Sequence, residues 1–161
     1  MGKLKGGYSG VALRLDLTAG VVHKEALDEA LALDYIGGRG FTSRLQYDLI
    51  EPRVDPLGPD NVLIIAPGVL TGTLAPSSGR FTIGGRSPLT GILGDANSGG
   101  MWGAVLRRAG CDLITVHGQS RQPVYLWIDN DRVELRDARH LWGRDTHETE
   151  RSIREEMGKT A

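Results

Sequence analysis

The sequence predicts an α+β domain, and three features carry that reading: an alternating hairpin at the start, one continuously apolar strand, and helix-period runs with terminal signals. Val11, Leu13, Leu15 and Leu17 alternate through Tyr8 to Leu17, a Thr18-Ala19-Gly20 turn follows, and Val21 to Lys24 complete a β-hairpin. Asp28 caps a helix running to about Tyr35, which Gly37-Gly38 end. A second helix spans about Phe41 to Leu49, and the proline-rich stretch Glu51 to Pro59 is a loop. Val62 to Ala66 is too continuously apolar for anything except a buried strand. Phe81-Thr82-Ile83 reads as a short strand. Met101, Trp102, Val105, Leu106 and Ala109 share one helical face, with Ser98 placed to cap the helix at Gly99, Arg107 and Arg108 in its last turn, and Gly110 beyond. Leu113 to His117, Val124 to Ile128 and Val133 to Arg136 read as strands, the last two joined by Asp129-Asn130-Asp131. Asp145 or Thr146 opens a final helix to about Met157. With no repeat, low-complexity tract or linker, residues 1–161 read as one domain.

Composition narrows the function classes. A chain of 161 residues buries about two-thirds of its unfolded surface, enough for a core without staples. The net charge of −1 argues against a general nucleic-acid binder, so any anion site must be local. The N-terminus lacks the apolar region of a secretory signal and no apolar run approaches a bilayer span, so a cytoplasmic protein without a membrane partner is expected. Cys111, the single cysteine, allows no internal disulfide and is expected as a buried small hydrophobe. His23, His117, His140 and His147 show no close ligand spacing, and structural roles are expected.

The candidate site lies between Ser77 and Gly100. Arg80 precedes the Phe81-Thr82-Ile83 strand, Asn97 and Ser98 precede Gly99-Gly100, and the glycines admit an anion to the backbone without meeting a Cβ. A guanidinium fork on a rigid element suits an oxyanion or a flat heterocycle. Turn chemistry and surface ion pairing use the same residues, and the pattern alone leaves both readings open. Gly37-Gly38-Arg39-Gly40 reads as a helix end and tight turn, with a second phosphate contact as the alternative.

Ordered matches extend this local reading along the chain. They include Gly10 to Thr18, Tyr35 to Gly40, Val54 to Asn61, Ala66 to Thr73, Gly79-Arg80-Phe81-Thr82, Ser87 to Gly91, Ala96 to Gly100 and Leu141-Trp142-Gly143. On these the sequence, from Met1 to Gly158, resembles the N-terminal domain of the tungsten-containing aldehyde:ferredoxin oxidoreductase family. The resemblance implies two β-sheets with a few flanking helices, forming a base for a tungsten bis-pterin (molybdopterin) cofactor. By position, Arg80 resembles an arginine lying between pterin and iron–sulfur cluster, and Asn97 and Gly99 resemble pterin and phosphate contacts. The Asn97 backbone carbonyl resembles a ligand of a magnesium ion that bridges the pterin phosphates. A [4Fe–4S] cluster needs about four thiolates, so it is expected only in domains absent from this chain, with the substrate site. The implied function is the cofactor-binding part of an enzyme that oxidises aldehydes to carboxylic acids and passes electrons to ferredoxin. No catalytic residue is expected in this chain, which is predicted inactive in isolation. The expected partners are the missing C-terminal domains or a complementary subunit, and self-association is expected. The alternatives are a non-catalytic pterin-binding or partner-binding module, and the equivalent domain of an aromatic acyl-thioester reductase.

Overall fold

A computed structural model describes residues 6–158. The elements run β1 (Val11–Asp16), β2 (Val21–Ala26), α1 (Glu29–Tyr35), α2 (Arg39–Leu49), β3 (Leu63–Pro67), β4 (Phe81–Arg86), β5 (Leu93–Ser98), α3 (Trp102–Arg108), β6 (Leu113–His117), β7 (Val124–Asp129), β8 (Arg132–Asp137) and α4 (Thr146–Met157). Six strands form one mixed sheet in the order β2-β1-β6-β3-β4-β5, and β7-β8 form a second sheet. Among the described residues only the β1–β6 pairing is parallel; the others are antiparallel. The α+β class and the two sheets predicted from sequence are therefore the observed architecture.

Period-two alternation divides the apolar residues of the large sheet between its faces. Ile64, Ala66 and Leu113 pack with Leu27 and Ala32 of the α1 region and with Phe41 of α2. Leu13, Leu15 and Ile114 pack on the other side with Leu106 of α3, and the β7–β8 ribbon closes over them through Leu126, Ile128, Val133 and Leu135. Asp28 caps α1 as predicted, its Oδ1 accepting from the N–H groups of Ala30 at 2.8 Å and Leu31 at 3.4 Å. Asp145 caps α4, accepting from the Glu148 N–H at 2.8 Å. Gly40 must be glycine, because a Cβ there would lie 2.0 Å from the Tyr35 carbonyl oxygen.

One strand is added to the sequence reading and one local reading is corrected. The segment Leu93–Ser98 is a strand, β5, which propensity conceals because Gly94, Asp95 and Asn97 are poor strand formers. Ser98 is consequently the last residue of that strand and no helix cap: α3 begins at Trp102 after Met101, with no side-chain cap. Gly99 and Gly100 form the bend between β5 and α3.

Cys111 is 2% exposed, its thiol donates to the Leu113 carbonyl at 3.3 Å, and burial pushes its pKa up to about 11. The native thiol should therefore resist iodoacetamide at pH 8 and react on denaturation. Because the folded pKa is raised from 9.0 to about 11, the folded state holds the proton more tightly, and stability should fall as pH rises through that window. Rapid native-state alkylation would contradict both expectations.

Candidate functional site

An open cleft of about 660 Å³ lies where three segments meet: the α1–α2 turn, the β3–β4 loop, and the adjoining ends of β4 and β5. Arg80 and Asn97 both line it. The β4–β5 register sets Thr82 opposite Asn97, two residues along from Arg80. The Arg80 guanidinium donates to Asn97 Oδ1 at 2.8 Å, and Asn97 Nδ2 donates to Thr82 Oγ1 at 3.1 Å. Arg80 and Asn97 are exposed, whereas Thr82 is buried.

The backbone of Arg80 is held independently of its side chain. Its carbonyl accepts from the Gly68 N–H at 3.0 Å and from the Thr71 hydroxyl at 2.7 Å. That hydroxyl, itself buried, also lies 2.7 Å from the Ser78 carbonyl, which ties the β3–β4 loop back on itself. Phe81 is anchored behind it by Trp102, the ring centroids being 4.5 Å apart at 46°.

The α1–α2 turn supplies the opposite wall. The Gly37 and Gly38 N–H groups donate to the carbonyls of Tyr35 (2.7 Å) and Pro67 (3.1 Å), so these glycines act as a turn and their donors are already committed. Ile36 and Gly38, at φ 67° and 51°, supply the left-handed backbone that the reversal requires. Arg39 lines the cleft, reaches across to β5 and pairs with Asp95 at 2.8 Å.

Of the residues singled out in the sequence, the structure brings Arg80 and Asn97 together and leaves Gly99 outside the cleft lining, two residues past Asn97. A Cβ at Gly99 would meet no atom within 4 Å, so that bend faces open space. The sequence places Arg39 only in the alternative phosphate reading of Gly37-Gly38-Arg39-Gly40 and does not single out Thr82; the signal for Thr82 is the extended-chain alternation that puts residues 80 and 82 on one side. Another hollow, of about 570 Å³, opens between α1–α2 and β1, but its arginines, Arg14 and Arg44, are already paired with Glu25 and Asp48. Among the described residues no group of three His, Cys, Asp or Glu side chains could hold a metal ion. No helix there is long and apolar enough to cross a membrane.

Chemically, the cleft offers a guanidinium held by Asn97 and an amide whose carbonyl accepts from it, with an open glycine bend just outside the lining. Comparison with known proteins places the chain in the class of N-terminal domains of large oxidoreductases. The tungsten-containing aldehyde ferredoxin oxidoreductases of Thermococcus kodakarensis and Pyrococcus furiosus are 49% and 47% identical over 152 residues, which is 94% of this chain and 25% of each relative. The aliphatic sulfonate oxidoreductase WOR-like subunit of Pyrococcus furiosus is 40% identical over 140 residues, covering 84% of this chain and 22% of that protein. A solved structure, the active site complex BamBC of benzoyl coenzyme A reductase with 1,5-dienoyl-CoA, matches with a TM-score of 0.92 at 38% identity, over 96% of this chain and 24% of that one. The profile of the aldehyde ferredoxin oxidoreductase N-terminal domain matches residues 12–161, and the chain belongs to that family. It spans about a quarter of the length of these relatives.

Proposed function

We propose that this domain is the base on which the tungsten bis-pterin cofactor of an aldehyde:ferredoxin oxidoreductase rests, and that Arg80, Asn97 and Gly99 are its contacts. The observation that carries the proposal is the joined pair Arg80–Asn97 at the mouth of a cleft, next to a glycine bend open to an approaching group. The donor set fits: the guanidinium suits phosphate oxygens or the polar edge of a pterin, and the amide supplies both a donor and an acceptor. The Asn97 backbone carbonyl is the proposed magnesium ligand, on β5, the outer strand of its sheet. When bound, the tungsten centre supplies the two-electron chemistry that converts an aldehyde to a carboxylic acid. The domain's own residues bind and orient the cofactor and set a positive charge beside it.

One buried cysteine cannot hold a [4Fe–4S] cluster, so cluster, substrate pocket and ferredoxin contact are assigned to the part of the relatives that this chain does not span. Leu70, Leu74, Met101, Trp102 and Val105 stand exposed on the β3–β4 loop and at α3, which supports docking of such a partner or self-association. The benzoyl coenzyme A reductase neighbour supports a second reading, the equivalent domain of an aromatic acyl-thioester reductase.

Gly99→Ala tests the cradle. Gly99 has no positive φ and space around it, so alanine should leave the unfolding midpoint of the chain unchanged. In the complete enzyme the added methyl should meet the cofactor and lower tungsten per protein severalfold. Undiminished tungsten in Gly99→Ala would remove Gly99 from the site.

A further inference from the structure

We propose that Thr82 is a positioning residue of this cleft: its hydroxyl anchors the Asn97 amide so that it stays beside Arg80. The inference rests on the cofactor-base reading of the same site.

An asparagine amide has one accepting end and one donating end, and its two orientations fill nearly the same space. Facing a guanidinium, which only donates, the carbonyl end attracts and the NH2 end sets donor against donor. The guanidinium thus selects the carbonyl end, but an exposed side chain such as Asn97 still needs a second contact to hold it in place. Thr82 supplies that contact from beneath. It lies directly opposite Asn97 in the β4–β5 register, is 1% exposed, and accepts from Asn97 Nδ2 at 3.1 Å. With the NH2 end engaged there, Oδ1 is presented to Arg80 and accepts at 2.8 Å. The hydroxyl is held in turn by a rigid element, because Thr82 is inside β4 and that strand is paired on both sides, with β3 and β5. The result is a relay from the sheet interior to the charged group at the cleft mouth. Gly38 lies above it, and a Cβ there would come within 3.7 Å of Thr82 Oγ1, so the opposing turn leaves the hydroxyl room.

Thr82→Val keeps the shape of the side chain and removes the acceptor. The Asn97 side chain is then free to swing away, and Arg80 loses its fixed partner. In the complete tungsten enzyme, tungsten release during dialysis should accelerate by about three- to tenfold, the consequence of one hydrogen bond. Thr82→Ser, which restores the oxygen, should return release to near the wild-type rate. Combining Thr82→Val with Arg80→Ala should add nothing to the Arg80→Ala effect, because both act through one guanidinium. Wild-type release from Thr82→Val alongside fast release from Arg80→Ala would overturn the proposal and leave the cofactor cradle standing. Equal impairment in Thr82→Ser and Thr82→Val would also overturn it, since the hydroxyl would then not be the agent. Wild-type release from Arg80→Ala itself would remove the cradle and this inference together.

Discussion

Asp112→Ala should destabilise the chain by about 3–5 kcal/mol, the range for removing one partner of a buried ion pair. Asp112 is 1% exposed and its carboxylate accepts from the N–H groups of Ser9 at 3.1 Å, Gly10 at 2.6 Å and Val11 at 3.2 Å. It also pairs with Arg107, which burial pushes below its ordinary pKa. Alanine would leave three backbone donors and a largely buried guanidinium without their acceptor. The effect should reach the cleft. Arg107 donates to the Val69 carbonyl at 3.5 Å and lies 5.9 Å from the Tyr8 ring centroid, and the Tyr8 hydroxyl is 2.7 Å from the Ile36 carbonyl. Val69 and Ile36 both line the cleft. In thermal unfolding the midpoint should fall by roughly 6–20 °C, given about 2–4 °C per kcal/mol for a chain of this size. Asp131→Ala, which breaks the exposed Lys24–Asp131 pair, is the control and should barely move it. Equal midpoints in Asp112→Ala and Asp131→Ala would show that the buried carboxylate holds nothing together.

Local chemistry made most elements legible. The Asp28 and Asp145 caps, the β1–β2 hairpin and the apolar β3 run each declare themselves within a few residues, because caps, turns and alternation depend on near neighbours. β5 does not, since LGDANS has little intrinsic strand preference and is made a strand by its pairing with β4. That one error displaced the start of α3 by several residues and turned Ser98 into a cap it does not form. Arg80 and Asn97, 17 residues apart, share the candidate site in the sequence because of the glycines and apparent helix start around them, but their direct contact comes from the β4–β5 pairing, which no local pattern announces. The Asp112 network was invisible for the same physical reason in stronger form. Its partners Ser9, Gly10 and Val11 lie 103, 102 and 101 residues away, and nothing in the flanking sequence marks an aspartate as the acceptor for another strand's backbone.

Arg80→Ala in the complete enzyme should lower cofactor retention about tenfold or more. A hydrogen bond to a charged group contributes about 1.5–3 kcal/mol, and 1.4 kcal/mol is one factor of ten. Its fixed carbonyl, held by Gly68 and Thr71, means that the substitution should remove the side chain without moving the loop, so the unfolding midpoint should stay close to wild type. The neighbouring redox centre should also become harder to reduce, because its reduced, more negative form loses a nearby positive charge. Arg80→Lys keeps the charge but not the planar fork, so it should recover most of the potential and only part of the retention. This split separates electrostatic tuning from hydrogen-bonded binding, which act through the same side chain. Arg121→Ala, in the exposed loop between β6 and β7, controls for the loss of one positive charge. Matching cofactor content and potential in Arg80→Ala and Arg121→Ala would reduce Arg80 to a surface partner of Asn97 and would remove the charge from the proposed cradle.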